Sequence, residues 1–401
     1  MRRMLRHIIH QDHAIVALMA MCIIGVLAFV TFNVSFLNPV EQMLKNMKFS
    51  DLYIKVKNFH AERDTSQLIT IVDMTDVYNR GELAQIIDEL AQQQPKVIGV
   101  DIVFEGERDD SLGNAMLEES IRQHRDLLVF ATKLTDYDGK KYTFQNQSRS
   151  YFTDRIDSLT EGFVNLEDNM EQARIRDCRS GMPLRTDAGN IMMPSLPAAM
   201  ARHFGIDIPL RNQPMLISYP PTFFPCLPWD SLQQRPDLIR GRMILLGAHT
   251  QESDMHLTPL GKMSGVELHA YSLLELMNHR NTTDAPLWAN LLATFIACYL
   301  LAVFVELSER RSSRQRPSSL RIFLDESEWL KGGIMLLTAI IATCIMHWIF
   351  EYYDIYINAL LVLAAMAVVV QSHDTYMAFI NALSLHHPRW WLVRHSLATK
   401  T

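Results

Sequence analysis

Four long apolar runs, one near the start of the chain and three near its end, limit how this sequence can fold more than any other feature. The first run is 14–36, and the others are 286–306, 332–350 and 355–372. A helix needs roughly 20 apolar residues to cross the hydrocarbon core of a membrane. We therefore predict four transmembrane helices, one before and three after a domain of ordinary soluble composition at 38–284.

The first run has an alternative explanation as a cleaved signal peptide, because Arg2, Arg3 and Arg6 precede it. The run is longer than the apolar region of a signal peptide. No small-residue cleavage site follows it at 33–39. We therefore interpret the run as an uncleaved anchor.

Basic residues predict the orientation of the chain in the membrane. The loop 307–331 and the tail 373–401 carry Lys and Arg, whereas the turn 351–354 carries neither. The positive-inside rule places these two segments and the N-terminal tail 1–13 in the cytoplasm. The domain 38–284 then faces a periplasm or the exterior. We expect a multi-pass protein of the cytoplasmic (inner) membrane, with the lipid bilayer as its first partner.

The predicted soluble domain alternates β-branched runs with amphipathic helical patterns. Strands are predicted over 68–73, 97–104 and 127–131, with helices over 81–94 and 111–124 between them. Strand–helix alternation favours right-handed βαβ units and a parallel sheet covered on both faces. We predict the α/β class, with three layers around a mostly parallel sheet.

Acidic residues and histidines follow the predicted strands, where open parallel sheets bind their ligands. Asp73 ends the first strand, Asp101 lies within the second, and Asp254 and His256 follow a buried run at 243–247. Carboxylates beside histidines are suited to a divalent cation. They are equally suited to capping loops and turns, which the spacing favours. The identity of any metal or cofactor stays open.

Motifs of the common enzyme classes do not occur in the sequence. It contains no GxSxG, no P-loop, and no GxGxxG followed by an acidic residue. Glu267 and His269 are two positions apart on a predicted helix, so they do not share a face as a zinc-binding HExxH does. We expect no enzyme and no catalytic residues. The net charge of −6, with no basic tail, also disfavours nucleic acid as a partner.

Two of the five cysteines, Cys178 and Cys226, fall in the predicted soluble domain. If the domain is exported, they could form a disulfide. The alternative is two unpaired thiols, which we favour, and both possibilities stay open at this point.

Nine segments of the predicted soluble domain match a known family, and they are 49–53, 69–76, 97–104, 109–110, 193–196, 217–220, 238–248, 254–260 and 265–270. They occur in family order, and on them the domain resembles the extracytoplasmic sensor domain called CHASE2 (cyclase/histidine-kinase-associated sensory, second type). An anchor before the domain and three spans after it are also similar to the family arrangement.

This resemblance implies sensing outside the membrane and output inside the cell. Such domains commonly feed a cytoplasmic kinase, nucleotide cyclase or cyclic-dinucleotide enzyme, but this sequence ends soon after the last predicted span, without a fused output domain. Asp101 and Glu267 also have a structural interpretation, which we favour for both. The expected ligand-binding residues are the acidic and histidine positions within the matching segments, namely Asp73, Asp101, Asp254, His256, Glu267 and His269.

Three hypotheses for function follow from these observations. The first is a non-enzymatic sensor that relays an envelope signal through its membrane helices to a separate protein. The second is a structural or assembly subunit whose domain is a protein-interaction platform. The third and weakest is an exported metal-dependent enzyme that uses the Asp254–His256 region. Signalling domains often work as dimers, and this analogy leaves a homodimer open.

Overall fold

The chain forms two compact units, Asp51–Thr282 and the combination of Met1–Ser50 with Thr283–Thr401. We call the first the α/β unit and the second the helical unit. The predicted basic loop 307–331 lies mostly outside the described residues, and the predicted tails lie partly outside them. The computed structural model describes residues 10–33, 49–107, 110–166, 174–278, 283–313, 328–353 and 355–396.

The α-helices are numbered in chain order. They are α1 (Gln11–Asn33), α2 (Phe49–His60), α3 (Arg80–Gln92), α4 (Ser111–His124), α5 (Leu196–His203), α6 (Gly265–Met277), α7 (Leu287–Ser313), α8 (Glu328–Tyr353), α9 (Ala359–Ala367), α10 (Val369–His386) and α11 (Trp391–His395).

The β-strands are numbered in the same way. They are β1 (Asp64–Thr65), β2 (Ile69–Asp73), β3 (Val97–Val100), β4 (Leu128–Asp138), β5 (Thr143–Ser148), β6 (Thr160–Phe163), β7 (Asp177–Cys178), β8 (Gly181–Thr186), β9 (Gly189–Pro194), β10 (Met215–Leu216), β11 (Thr222–Phe223), β12 (Cys226–Pro228), β13 (Met243–Gly247), β14 (Met255–Thr258), β15 (Gly261–Ser264), β16 (Thr283–Asp284) and β17 (Ile355–Tyr356).

A mixed sheet lies at the centre of the α/β unit, and among the described residues it has nine strands. Its order is β12-β2-β13-β3-β4-β5-β8-β9, with β6 paired to β4. The pairings from β12 through β4 are parallel, as is that of β4 with β6. The β4–β5 and β8–β9 pairings are antiparallel. The α/β class is confirmed, and the antiparallel strands are an addition that the sequence analysis did not predict.

Alternate residues of the central strands enter two different hydrophobic clusters. Ile71 and Leu245 belong to the cluster that includes residues of α5 and α6. Val72 and Leu246 belong to the cluster that includes residues of α3 and α4. Successive side chains of a strand point to opposite faces of its sheet, so helices cover the parallel strands on both faces. This double burial explains why these strands are continuous apolar runs.

Side-chain caps fix where the helices beside these strands begin. The Asn79 side chain accepts a hydrogen bond from the Glu82 amide at 2.7 Å, so α3 begins at Arg80. The Asp110 carboxylate accepts from the Gly113 amide at 2.9 Å at the start of α4. These bonds satisfy backbone amides that lack a partner within the helix.

The helical unit contains the apolar helices that the sequence analysis assigned to the membrane. Among the described residues, Gln11–Thr31 and Leu287–Leu307 are each long and apolar enough to cross a membrane. A third span exists if α9 and α10, which are bent by 40° at Val368, are taken as one. The apolar part of α8, Met335–Phe350, is shorter than these. The chain is thus a membrane protein by composition, and four spans stay a prediction.

The last predicted span, 355–372, differs from the helix that forms there. Residues Ile355–Tyr356 form a short strand, and α9 starts only after Asn358, whose side chain accepts from the Leu361 amide. The helix is then interrupted at Val368. A side-chain cap and an interruption leave no trace in hydropathy, which is why the sequence predicted one straight run.

Candidate functional site

The carboxyl ends of three adjacent parallel strands form the sheet edge to which the sequence assigned ligand binding. β13 lies between β2 and β3, and Gly247 at its end pairs with Asp73. The Asp101 amide donates to the Leu246 carbonyl at 2.8 Å. Asp73 and Asp101 therefore flank the end of β13. We define the strand-end site as Asp73, Asp101, His249, Asp254, His256, Glu267 and His269.

Asp73 joins the loops that follow β2 and β13. Its Oδ1 accepts hydrogen bonds from the Thr75 amide at 2.9 Å, the Thr75 hydroxyl at 2.5 Å and the His249 amide at 3.0 Å. Burial acts to raise the pKa of Asp73, but these hydrogen bonds outweigh it and leave the pKa lowered. Asp73 is therefore an ionised carboxylate that fixes the geometry of both loops.

Asp101 and His269 form the buried part of the site. His269 Nε2 lies 3.8 Å from Asp101 Oδ1, and the two side chains are 5% and 13% exposed. Burial raises the pKa of Asp101, an effect that His269 opposes and Asp254 reinforces. Burial therefore disfavours the negative charge of Asp101, and the neighbouring imidazole of His269 acts against this effect.

Asp254 and His256 form the open part of the site. His256 Nε2 lies 3.7 Å from Asp254 Oδ1, and the side chains are 21% and 40% exposed respectively. Asp254 Oδ2 accepts from the Gly265 amide at 3.2 Å, in the first turn of α6. A Cβ at position 265 would lie 2.8 Å from that oxygen, so only glycine permits this approach. The loop and α6 are thus joined through one carboxylate.

His249 links the end of β13 to the start of α6. Its Nδ1 lies 3.0 Å from the Ser264 hydroxyl, whose oxygen accepts the Glu267 amide at 3.4 Å. Burial raises the pKa of Glu267, while His249 and Arg63 act to lower it. Ser264 caps α6 and is 1% exposed, so its hydroxyl is not accessible to a substrate as a nucleophile would have to be.

The six predicted residues fall into two neighbouring groups. Asp101, Asp254, His256 and His269 interact electrostatically as one group. Asp73 and Glu267 belong to the second group, where His249 acts on both. Whether these residues bind a ligand stays a prediction. The Asp73 and Asp254 contacts with loop and helix amides do show the structural role that the sequence analysis considered as the alternative.

Sequence reasoning missed three residues that complete this network, Thr75, His249 and Ser264. Thr75 Oγ1 accepts from the amides of His249 and Thr250 while it donates to Asp73. His249 follows β13 by two positions, and this position relative to the strand was the available signal. Ser264 precedes an acidic residue by three positions, a spacing typical of a helix N-terminus.

The chemistry that this arrangement offers is recognition of a small polar solute. Carboxylates and imidazoles supply hydrogen-bond acceptors and donors, and Asp254 and His256 are the members that solvent reaches. Across the described parts of the chain, no group of three or more His, Cys, Asp or Glu side chains is placed to hold a metal ion.

Cys178 and Cys226 are both free thiols in the structure, so the disulfide that their positions allowed is not formed. Cys178 lies on β7, which pairs with β10, whereas Cys226 lies on β12 beside β2. Their separate strand pairs are the physical reason that the two sulfurs are not joined. Burial raises the pKa of Cys226 to about 11 and that of Cys178 further. Both thiols are therefore protonated and unreactive at neutral pH.

The chain thus has an α/β unit whose strand ends carry a network of polar side chains, together with helices apolar enough to cross a membrane. A family model for the CHASE2 domain matches residues 20–305, well over half of the chain. The chain belongs to the CHASE2 domain family, which is a family of sensory domains. No match emerged among curated proteins or among solved structures.

Proposed function

We propose that this protein is a non-enzymatic membrane sensor, which detects an envelope signal at the strand-end site and relays it to a separate protein. The observation that carries the proposal is the position of Asp254. Its carboxylate is partly exposed, contacts His256, and holds the amino end of α6 through the Gly265 amide. A solute that binds Asp254 therefore competes directly with a contact to this helix.

The order of helices along the chain supports relay from this point. α6 ends at Met277, and the next helix, α7, begins at Leu287 and is apolar enough to cross a membrane. A displacement of the first turn of α6 thus moves the helix that precedes a membrane helix in the chain. Membership of a family of sensory domains supports the same function.

The orientation belongs to this proposal as well. Lys and Arg in 307–331 and 373–401 favour a cytoplasmic location for these segments, with the α/β unit in the periplasm or outside the cell. In that arrangement the strand-end site is in contact with the solutes of the envelope. The partner that receives the signal would bind on the cytoplasmic side.

A second function, a protein-interaction platform without a ligand, is favoured by one observation at the end of the sheet. Among the described residues, β9 is an edge strand without a charged residue, and it exposes Ile191 and Met192. Edge strands are normally protected by charge, proline or short length, and the opposite edge, β12, is short. Both edge strands end in proline, Pro194 and Pro228, but β9 lacks the charge and the short length, and an added strand from an assembly partner would cover it.

The sensor function is tested by a thermal-shift panel on the full chain in lipid nanodiscs. The probes are Mg²⁺, Ca²⁺, Zn²⁺, phosphate, amino acids and sugars, each at several concentrations. A compound at one hundred times its Kd stabilises the folded state by about 2.7 kcal/mol, which raises the unfolding midpoint visibly. We expect at least one compound to do so.

The variant Asp254→Asn with His256→Gln identifies the site of any such effect. We expect this double variant to lose the shift. Glu252→Gln, which neutralises an exposed carboxylate in the same loop, should keep it. A flat panel on folded protein, or a shift that the double variant retains, would argue against sensing at the strand-end site. If no compound shifts the unfolding midpoint and a stoichiometric protein partner is present in every preparation, the protein-interaction platform is favoured.

A further inference from the structure

The helical unit contains buried ionisable side chains that the proposed sensing site does not use. Asp12, Glu306 and His373 are between 1% and 5% exposed, although they lie in or beside apolar helices. Burying an unpaired charge in such surroundings is costly, so groups of this kind are paired and are functional sites by default. Their contacts indicate what this function is.

Asp12 joins the start of α1 to the end of the described chain. Its Oδ1 accepts a hydrogen bond from the Tyr376 hydroxyl at 2.9 Å, and its Oδ2 accepts from the Ser396 hydroxyl at 2.9 Å. Tyr376 lies on α10, and Ser396 directly follows α11. One carboxylate therefore holds three elements together. His10 also contacts Asp12, at 3.5 Å.

Glu306 and His373 make a second connection to the same helix. His373 Nε2 lies 3.3 Å from Glu306 Oε2, which joins α7 to α10. His373 and Tyr376 are three positions apart on α10, so they share one face. That face therefore contacts α1 through Asp12 and α7 through Glu306. We name Asp12, Glu306, His373, Tyr376 and Ser396 the polar clasp.

The chain order gives this arrangement its significance. α1 is the apolar helix before the α/β unit and α7 is the apolar helix after it, so these two helices flank that unit along the chain. Both are connected to one face of α10, and α10 leads to α11 and the tail. α10 is therefore placed to respond to a displacement of α1 relative to α7.

We propose that the polar clasp is the relay element of the sensor, and that its opening releases α11 from the membrane helices. This inference rests on the proposed sensor function and deepens it. The hydrogen bonds to Asp12 are 2.9 Å long, and such bonds are lost beyond about 3.5 Å. Helix shifts of ~1–2 Å are typical of signalling transitions, so one such shift opens the clasp.

The first test compares hydroxyl deletions in the full chain in nanodiscs, by hydrogen exchange of the amides in α11. Tyr376→Phe and Ser396→Ala each remove one donor to Asp12. We expect each to raise exchange in α11 about tenfold, which corresponds to ~1.4 kcal/mol. Ser384→Ala is the matched control, because the Ser384 hydroxyl donates within its own helix, to the Asn381 carbonyl.

The second test asks whether the clasp carries a signal or only packs helices. Asp51→Asn loosens α2 from the rest of the α/β unit, and Asn58→Ala does so more mildly. Either of these substitutions should change the rate of amide hydrogen exchange in α11. The change should vanish when the same substitution is made together with Tyr376→Phe. A change of the same size in both backgrounds would overturn the relay. No response to either substitution, with the β4 amides still protected from exchange as proof of folding, would overturn it equally.

These outcomes separate the relay from the sensing function on which it rests. The inputs are substitutions, so no ligand is needed for either test. If the clasp fails and the thermal-shift panel succeeds, the protein senses by another route through the membrane. If the panel is flat and the clasp responds, the clasp transmits a mechanical or protein-borne input instead.

Discussion

Asp51 and Arg176 form a buried bidentate ion pair that fastens α2 to the rest of the α/β unit. Arg176 Nε donates to Asp51 Oδ1 and Nη2 donates to Oδ2, both at 2.7 Å, and both side chains are under 10% exposed. Arg174 lies 3.4 Å from the same carboxylate. The substitution Asp51→Asn keeps the shape of the side chain and removes the negative charge that lies against the buried guanidinium of Arg176.

The expected cost of this substitution is large for a single change. Removal of one partner from a buried ion pair typically costs ~3–5 kcal/mol, because the remaining charge stays desolvated. Asparagine retains one oxygen acceptor, so we expect a loss of about 3 kcal/mol. Replacing both partners, as in Asp51→Leu with Arg176→Met, removes the uncompensated charge and should restore most of the stability.

Hydrogen exchange of the full chain measures this loss, with the slowly exchanging amides of β2 and β13 as probes. A loss of 3 kcal/mol accelerates exchange through unfolding by roughly a hundredfold. Glu62→Gln is the control, because it neutralises an exposed carboxylate two positions after α2. The reasoning is refuted if Asp51→Asn remains within about 0.5 kcal/mol of the control, or if the double substitution is less stable than the single one.

Three further predictions concern stability. Asp73→Asn should destabilise the protein at neutral pH. The difference should persist down to about pH 4, near the usual pKa of an aspartate, and shrink as the pH falls further through the lowered pKa, because Asp73 stabilises the fold only when it is ionised. Asp101→Asn should show the opposite sign at neutral pH, and its effect should shrink as the pH falls through the raised pKa towards about 4; denaturant midpoints at about pH 2.5, 4, 5.5 and 7 check both. Gly162→Ala should lower the free energy of unfolding by ~1–3 kcal/mol, again measured by denaturant, because the added Cβ would lie 2.6 Å from the backbone of Leu196. Gly139→Ala is the control and should leave the stability unchanged, because its added Cβ would enter open space.

Much of the α/β unit could be predicted because its strands are continuous apolar runs bounded by capped helices. Asp73 and Asp101 come together for the same reason, since parallel strands bring their carboxyl ends to one edge. Sequence spacing also separated Glu267 from His269, and the structure places them in different groups. These are consequences of periodicity, which a sequence displays directly.

The rest of the site depends on loops and on the pairing of distant strands, which periodicity does not reveal. The loops after β2 and β13 both bind Asp73, and this brings Thr75 and His249 into contact. Neither loop has a repeating sequence pattern that would predict it. Sequence spacing left a Cys178–Cys226 disulfide open beside the favoured interpretation of two unpaired thiols, because spacing does not say which strands the two cysteines join; in the structure both are free. The polar clasp was missed because its members are separated by as many as 384 positions.

The most direct test of sensing and relay together is differential hydrogen exchange of the full chain in nanodiscs, with and without the pooled compounds of the panel. The account predicts slower exchange in the first turn of α6, where Asp254 holds the Gly265 amide, and an altered rate in α11 in the same sample. Both changes should disappear in the variant Asp254→Asn with His256→Gln. A change at only one of the two places, or at neither, would contradict the claim that this chain senses at the strand ends and transmits to its tail.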